Sequence, residues 1–154
     1  LKIKWPLIFL CICAIFFYLI KLFTIKPHRW SGNGNLGLLI IFPTIPIILT
    51  SIILIIIYVY KLFKRKPKTI PAVTAISGIL IIPLAWAEYA FIQQKIEALG
   101  GSYDNPESKL YRFPLLNQYT NDLFFNAYTF CGFVVFAILA AGAISLVQMK
   151  RAKK

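Results

Sequence analysis

From Leu36 to Tyr60 the chain carries no charged residue. A helix rises 1.5 Å per residue, so an uncharged run of this length crosses the roughly 30 Å hydrocarbon core of a bilayer. Three other runs have the same character: Trp5 to Ile25, interrupted by Lys21; Ile70 to Ile92, with Glu88 as its one acid; and about Leu123 to Val147. Hydrophobic residues make up 59% of the chain and charged residues 14%, more apolar surface than a soluble globule of this size can hide. Three cysteines, eight glycines and nine prolines without a fixed period exclude a disulfide-rich secreted scaffold and a collagen-like repeat. The expected fold is an all-α integral membrane protein. It is read as a single transmembrane domain over 1–154, a four-helix bundle with helices at about 5–25, 36–62, 70–92 and 123–147. Residues 93–122 form the expected external loop. Lys2 and Lys4 resemble the start of a secretory signal, but the apolar run behind them exceeds the usual stretch of roughly 7 to 15 residues, so the first helix is expected to be retained. Pro43 and Pro46 remove backbone donors and should bend or locally open the second helix.

Charge orients this arrangement. Lys2 and Lys4, then Lys61, Lys64, Arg65, Lys66 and Lys68, then Lys150, Arg151, Lys153 and Lys154 fall on one side of a four-span chain, without a single acid among them. The other side receives Lys21, Lys26, Arg29, Lys95, Lys109 and Arg112 against Glu88, Glu97, Asp104, Glu107 and Asp122. The positive-inside rule then makes both termini cytoplasmic. Almost all of the formal net charge of +12 belongs to that inner face, where Lys64, Arg65, Lys66, Lys68, Lys150 and Arg151 suit anionic headgroups. The basic clusters abut helix ends and lack a stacking platform, so nucleic acid is not an expected partner.

Few residues in the spans carry chemistry. Glu88 stands out because an ionisable group within a span is costly. Its helix neighbours Leu84, Ala85, Phe91 and Ile92 offer no side-chain donor, so it requires headgroup water or a partner. Lys21, His28 and Arg29 lie at a comparable level. Thr44, Thr50, Ser51, Ser77 and Asn126 are too few to line a hydrophilic channel. Cys11, Cys13 and Cys131 form no C-x-x-C and read as small hydrophobes. His28 is the only histidine, and a lone ligand makes no metal or haem site. No nucleophile elbow, zinc-protease helix or phosphate loop is present, so no cofactor and no catalysis are expected. The glycine-rich segment 31–37 reads as a flexible turn.

Packing signals are stronger. Ala137, Ala141 and Ser145 recur every fourth residue, broadened by Ala140, Gly142 and Ala143, while Thr74 and Gly78 form a small pair in the third helix. A contact between the third and fourth helices is the expected use. In the outer segment, Asn105-Pro106-Glu107 predicts one or two helical turns over 106–111. The aromatic stretch containing Tyr111, Arg112, Phe113 and Tyr119 is expected to lie on the outer interface or to contact another protein.

The expected function is non-enzymatic: binding another integral membrane protein within the bilayer, as an accessory subunit or assembly factor of the inner membrane. The layout of four spans, internal termini, a basic middle connection and a polar outer loop is similar to that of immunity proteins for pore-forming bacteriocins. That resemblance implies inhibition of a membrane-inserting toxin and assigns no residue a role. A small proton-coupled transporter using Glu88 is the third reading.

Overall fold

The computed structural model describes residues 3–30 and 34–152. Lys2, Lys153 and Lys154, and the first part of the glycine-rich turn, lie outside them. The described residues are helical without strands: α1 (Lys4–Phe23), α2 (Gly37–Arg65), a 3₁₀ turn (Pro67–Thr69), α3 (Ile70–Ala98), a short α4 (Asn121–Phe124) and α5 (Ala127–Arg151). Four tracts are long and apolar enough to cross a membrane: α1, α2, α3 with its preceding turn, and α4 with α5.

Each long helix buries one narrow stripe. On α1 the stripe is Cys13, Phe17 and Ile20, residues that helical periodicity places on one face. The Cys13 thiol and the Ser51 hydroxyl of α2 lie 3.2 Å apart, and the Ser51 hydroxyl also reaches the Ile47 carbonyl at 2.8 Å. The buried thiol is therefore a packing group. Phe17 carries α1 toward the last helix, meeting Phe125 and Phe130 edge-on at centroid distances of 5.6 and 5.5 Å.

The tightest seam joins α3 to α5. A Cβ built on Gly142 would stand 2.1 Å from Thr74 Oγ1, so the helices approach to a distance only glycine permits. Ala137, Ala141 and Ser145 are buried on the same side of α5. Gly78, expected to share this contact with Thr74, does not: open space surrounds the position of its missing Cβ. Where α2 ends and α3 begins, Phe63, Ile70 and Ala141 form an apolar cluster with Val59, Val73 and Met149. This joins three helices at the basic end.

The four long helices pack in the order α1, α2, α5, α3. α1 packs on α2, α2 on α5, and α5 on α3, with no comparable contact between α1 and α3. The small-residue surface of α5 lies against both neighbours, Gly142 against Thr74 of α3 and Ala141 in the cluster with Phe63 of α2. α2 runs as one unbroken helix through Pro43 and Pro46, so the expected local opening is not seen.

Several boundaries differ from expectation, two of them for a plain local reason. α3 continues past Ile92 to Ala98 because nothing stops it before Gly100 and Gly101, whose φ values are +92° and +108°. Gly100 N–H donates to Glu97 O and Gly101 N–H to Ile96 O, both at 3.0 Å, the two bonds of a Schellman C-cap. The fourth tract breaks at Asn126, whose side chain accepts from the amides of Tyr128 (2.8 Å) and Thr129 (3.1 Å). The Thr129 hydroxyl accepts the Asn126 amide in return at 3.0 Å, closing a capping box. α5 then extends beyond Val147 to Arg151.

Residues 106–111 form turns, not the helical turns expected. Asn105 Oδ1 takes the Glu107 amide and Ser108 Oγ takes the Leu110 amide. These short-range bonds compete directly with helical pairing.

Candidate functional site

The loop after α3 is a packed lobe, and it positions the polar groups beneath it. Leu99, Leu110 and Tyr119 form its core, joined by Ile25, Ile96 and Tyr103. Ser108 Oγ donates to the Gly101 carbonyl at 2.8 Å, and Asn117 Nδ2 donates to the Pro114 carbonyl at 2.7 Å. Lys109 Nζ donates to the carbonyls of Pro27 and Arg29 and sits 4.3 Å above the Trp30 ring. Ile25 N–H donates to the Gln118 carbonyl at 2.8 Å. The lobe is thereby tied to the end of α1. Burial pushes the Tyr103 phenol above its ordinary pKa, partly offset by a hydrogen bond with the Thr120 side chain.

α2 is fastened to the same region. Asn35 and Asn121 exchange reciprocal amide bonds of 3.0 and 2.6 Å, and a Cβ on Gly37 would stand 2.2 Å from Asn121 Nδ2. Gly37 thus admits the amide pair at the start of α2.

At the loop end of α3 and α5, acidic and basic side chains come together. Lys95 Nζ bonds Asp122 Oδ2 at 2.8 Å, the two side chains being 12% and 11% exposed. Asn126, while capping α5 with its oxygen, donates through Nδ2 to Glu88 Oε1 at 3.1 Å. The same nitrogen lies 3.1 Å from the Asp122 carbonyl. Two carboxylate oxygens, Glu88 Oε2 and Asp122 Oδ1, are buried without a hydrogen-bond partner. A buried acceptor left unmatched is costly.

The donor to Glu88 is therefore Asn126, not Lys21, His28 or Arg29, which are exposed. Among the described residues the ion pair is that of Lys95 and Asp122, and the sequence singled out neither residue. Their separation of 27 residues leaves no helical or hairpin periodicity to reveal it. Tyr119 is 2% exposed and faces the lobe's own core, so it is corrected from a partner-contact residue to a packing residue. Phe113 stacks edge-on against it at 6.2 Å and stays 40% exposed. Tyr111 carries the Arg112 guanidinium 5.0 Å from its ring.

At the opposite end Lys64, Arg65, Lys66, Lys68, Lys150 and Arg151 are all exposed, and Lys64 Nζ lies 4.8 Å from the Tyr60 ring centroid. The described residues contain no group of three or more His, Cys, Asp or Glu that could hold a metal.

Fold and site together define a chain whose described residues form helices without strands, with four candidate membrane spans and a polar cluster at their loop end. Comparison with protein-family models, curated proteins and solved structures gives no match.

Proposed function

We propose that the chain is a non-enzymatic protein of the cytoplasmic membrane, with both termini inside, that packs laterally against another integral membrane protein as an accessory subunit or assembly factor. One observation carries the reading. Between α3 and α5 runs a groove of about 280 Å³, with Ile81, Leu84 and Phe136 among its walls and Ala85, Glu88 and Gly132 also lining it. Open space surrounds the missing Cβ of Gly132, although glycines of this kind let helix backbones approach closely. The groove thus combines apolar walls, a small-residue opening and the carboxylate of Glu88, whose Oε2 lacks a donor. A partner helix bearing a donor side chain matches all three. The charge asymmetry supports the orientation.

The test is co-purification from mild detergent. The chain is expected to bring down a membrane partner that Gly132→Leu loses while the abundance of the chain holds. A chain that elutes from mild detergent only as a lone monomer or homodimer overturns the reading. The unpaired Glu88 Oε2 also favours a second reading, proton-coupled transport. It requires Glu88→Gln to abolish substrate flux at unchanged abundance, and unchanged flux removes it.

A further inference from the structure

Two cavities meet along the outer turns of α1. The first, about 480 Å³, lies in the gap between α1 and α3, with Phe17, Phe91, Phe130, Lys21 and Asp122 among its lining residues. The second, about 560 Å³, includes Lys21, Lys26, Arg29 and Trp30. Tyr18 and Lys21 line both. Each volume falls in the range of roughly 300 to 1,000 Å³ typical of ligand sites.

Polarity changes along this double cavity. Ala14 marks the apolar end of the first cavity and Lys21 its polar rim, two helical turns or roughly 10 Å apart along α1. Beyond the rim, Lys26 and Arg29 are exposed, and neither they nor Lys21 has an acidic partner among the described residues. Across the first cavity stands Asp122, its Oδ2 held by Lys95 and its Oδ1 buried without a donor.

Three requirements follow for an occupant. The cations match an anion, the orphaned Oδ1 matches a hydrogen-bond donor, and the aromatic end between α1 and α3 matches hydrocarbon. A soluble anion such as hydrogen phosphate meets the first two but has no hydrocarbon for the third. A fatty carboxylate meets the first and third. A phospholipid whose headgroup carries an ammonium N–H or a hydroxyl meets all three.

The geometry points to a phospholipid-binding site in the cleft between α1 and α3, with the phosphate beside Lys21, Lys26 and Arg29, the headgroup donor on Asp122 Oδ1, and one acyl chain among Phe17, Phe91 and Phe130. The site adjoins the α3–α5 groove proposed for a protein partner through Tyr128, but Lys21 and Arg29 do not line that groove, so their variants test the lipid site separately.

Native mass spectrometry of the delipidated full chain tests it, with phosphatidylglycerol, phosphatidylethanolamine, phosphatidylcholine and inorganic phosphate added in turn. The first two are expected to bind more tightly than phosphatidylcholine, which has no headgroup donor. A basic side chain near a lipid phosphate contributes about five-fold in affinity, so Lys21→Ala and Arg29→Ala should each weaken binding about five-fold. The matched pair Lys64→Ala and Lys66→Ala, at the other end of the molecule, removes cations suited to anionic headgroups and should leave the binding of zwitterionic phosphatidylethanolamine unchanged. Exposed lysines and arginines can be removed without unfolding, which circular dichroism checks. Equal affinity for the three lipids, equal losses at the two ends, or inorganic phosphate binding as tightly as lipid would each overturn the assignment.

Discussion

Replacing Gly142 with alanine probes the contact between α3 and α5. The new Cβ would stand 2.1 Å from Thr74 Oγ1, 3.0 Å from Thr74 Cβ and 3.2 Å from its Cγ2. Rotating Thr74 about its first torsion relocates the hydroxyl, at the cost of its 2.7 Å bond to the Ile70 carbonyl, but leaves Thr74 Cβ in place. α3 and α5 must therefore separate. Overpacking of this kind costs about 1–3 kcal/mol, while exchanging glycine for alanine within a helix returns up to about 1 kcal/mol. Gly132→Ala supplies the reference, because open space surrounds that Cβ position and only the helix term acts. Subtracting the two variants cancels that term and leaves Gly142→Ala about 1–3 kcal/mol the less stable. Unfolding by sodium dodecyl sulfate in mixed micelles, followed by circular dichroism, reads the difference. Thr74→Ala placed in the Gly142→Ala background should recover part of the loss, giving a non-additive pair. Equal stability of Gly142→Ala and Gly132→Ala would refute the packing argument.

Other perturbations reach the loop end. Lys95→Ala leaves Asp122 charged and largely buried, so a loss of about 3 kcal/mol is expected in the same unfolding assay. The double variant Lys95→Met, Asp122→Leu should recover most of it. Asn126→Ala removes the cap of α5 and the donor to Glu88, and should cost about 1–2 kcal/mol from the cap alone. Asn126→Ser, which can still cap, should retain more stability. Burial favours the protonated Tyr103 phenol in the folded lobe. That stabilisation is complete below the ordinary tyrosine pKa and is lost as pH rises through the raised folded value. Alkaline ultraviolet titration should show Tyr103 ionising above the pKa it has in the unfolded chain.

The spans were legible because hydropathy accumulates over whole helices, and no local detail can mask an uncharged stretch such as Leu36 to Tyr60. Helix ends were less legible, because hydropathy reports the edge of an apolar run, whereas a helix stops at a cap. Lys95 and Glu97 lie beyond the apolar run yet within α3, which ends only where Gly100 and Gly101 supply positive φ. The break at Asn126 had a readable signal, an asparagine three residues before a threonine, but it sits inside an apolar stretch that reads as continuous. The small-residue faces of α3 and α5 could be found from spacing, but their rotational register could not. Thr74 meets Gly142 while Gly78, one turn further along α3, meets open space, and that depends on how each helix is turned about its axis. The Glu88 to Asn126 bond spans 38 residues and arises only once the helices are side by side.

The central claim is that four helices cross the bilayer with the basic end on one side and the loop lobe on the other. Cysteine labelling in intact cells by a membrane-impermeant maleimide tests it most directly, with Cys11, Cys13 and Cys131 replaced and single cysteines placed at Ser102 or Lys68. Labelling at Ser102→Cys in whole cells, and at Lys68→Cys only after the membrane is opened, is the predicted result. Equal labelling of both positions in intact cells would contradict the claim.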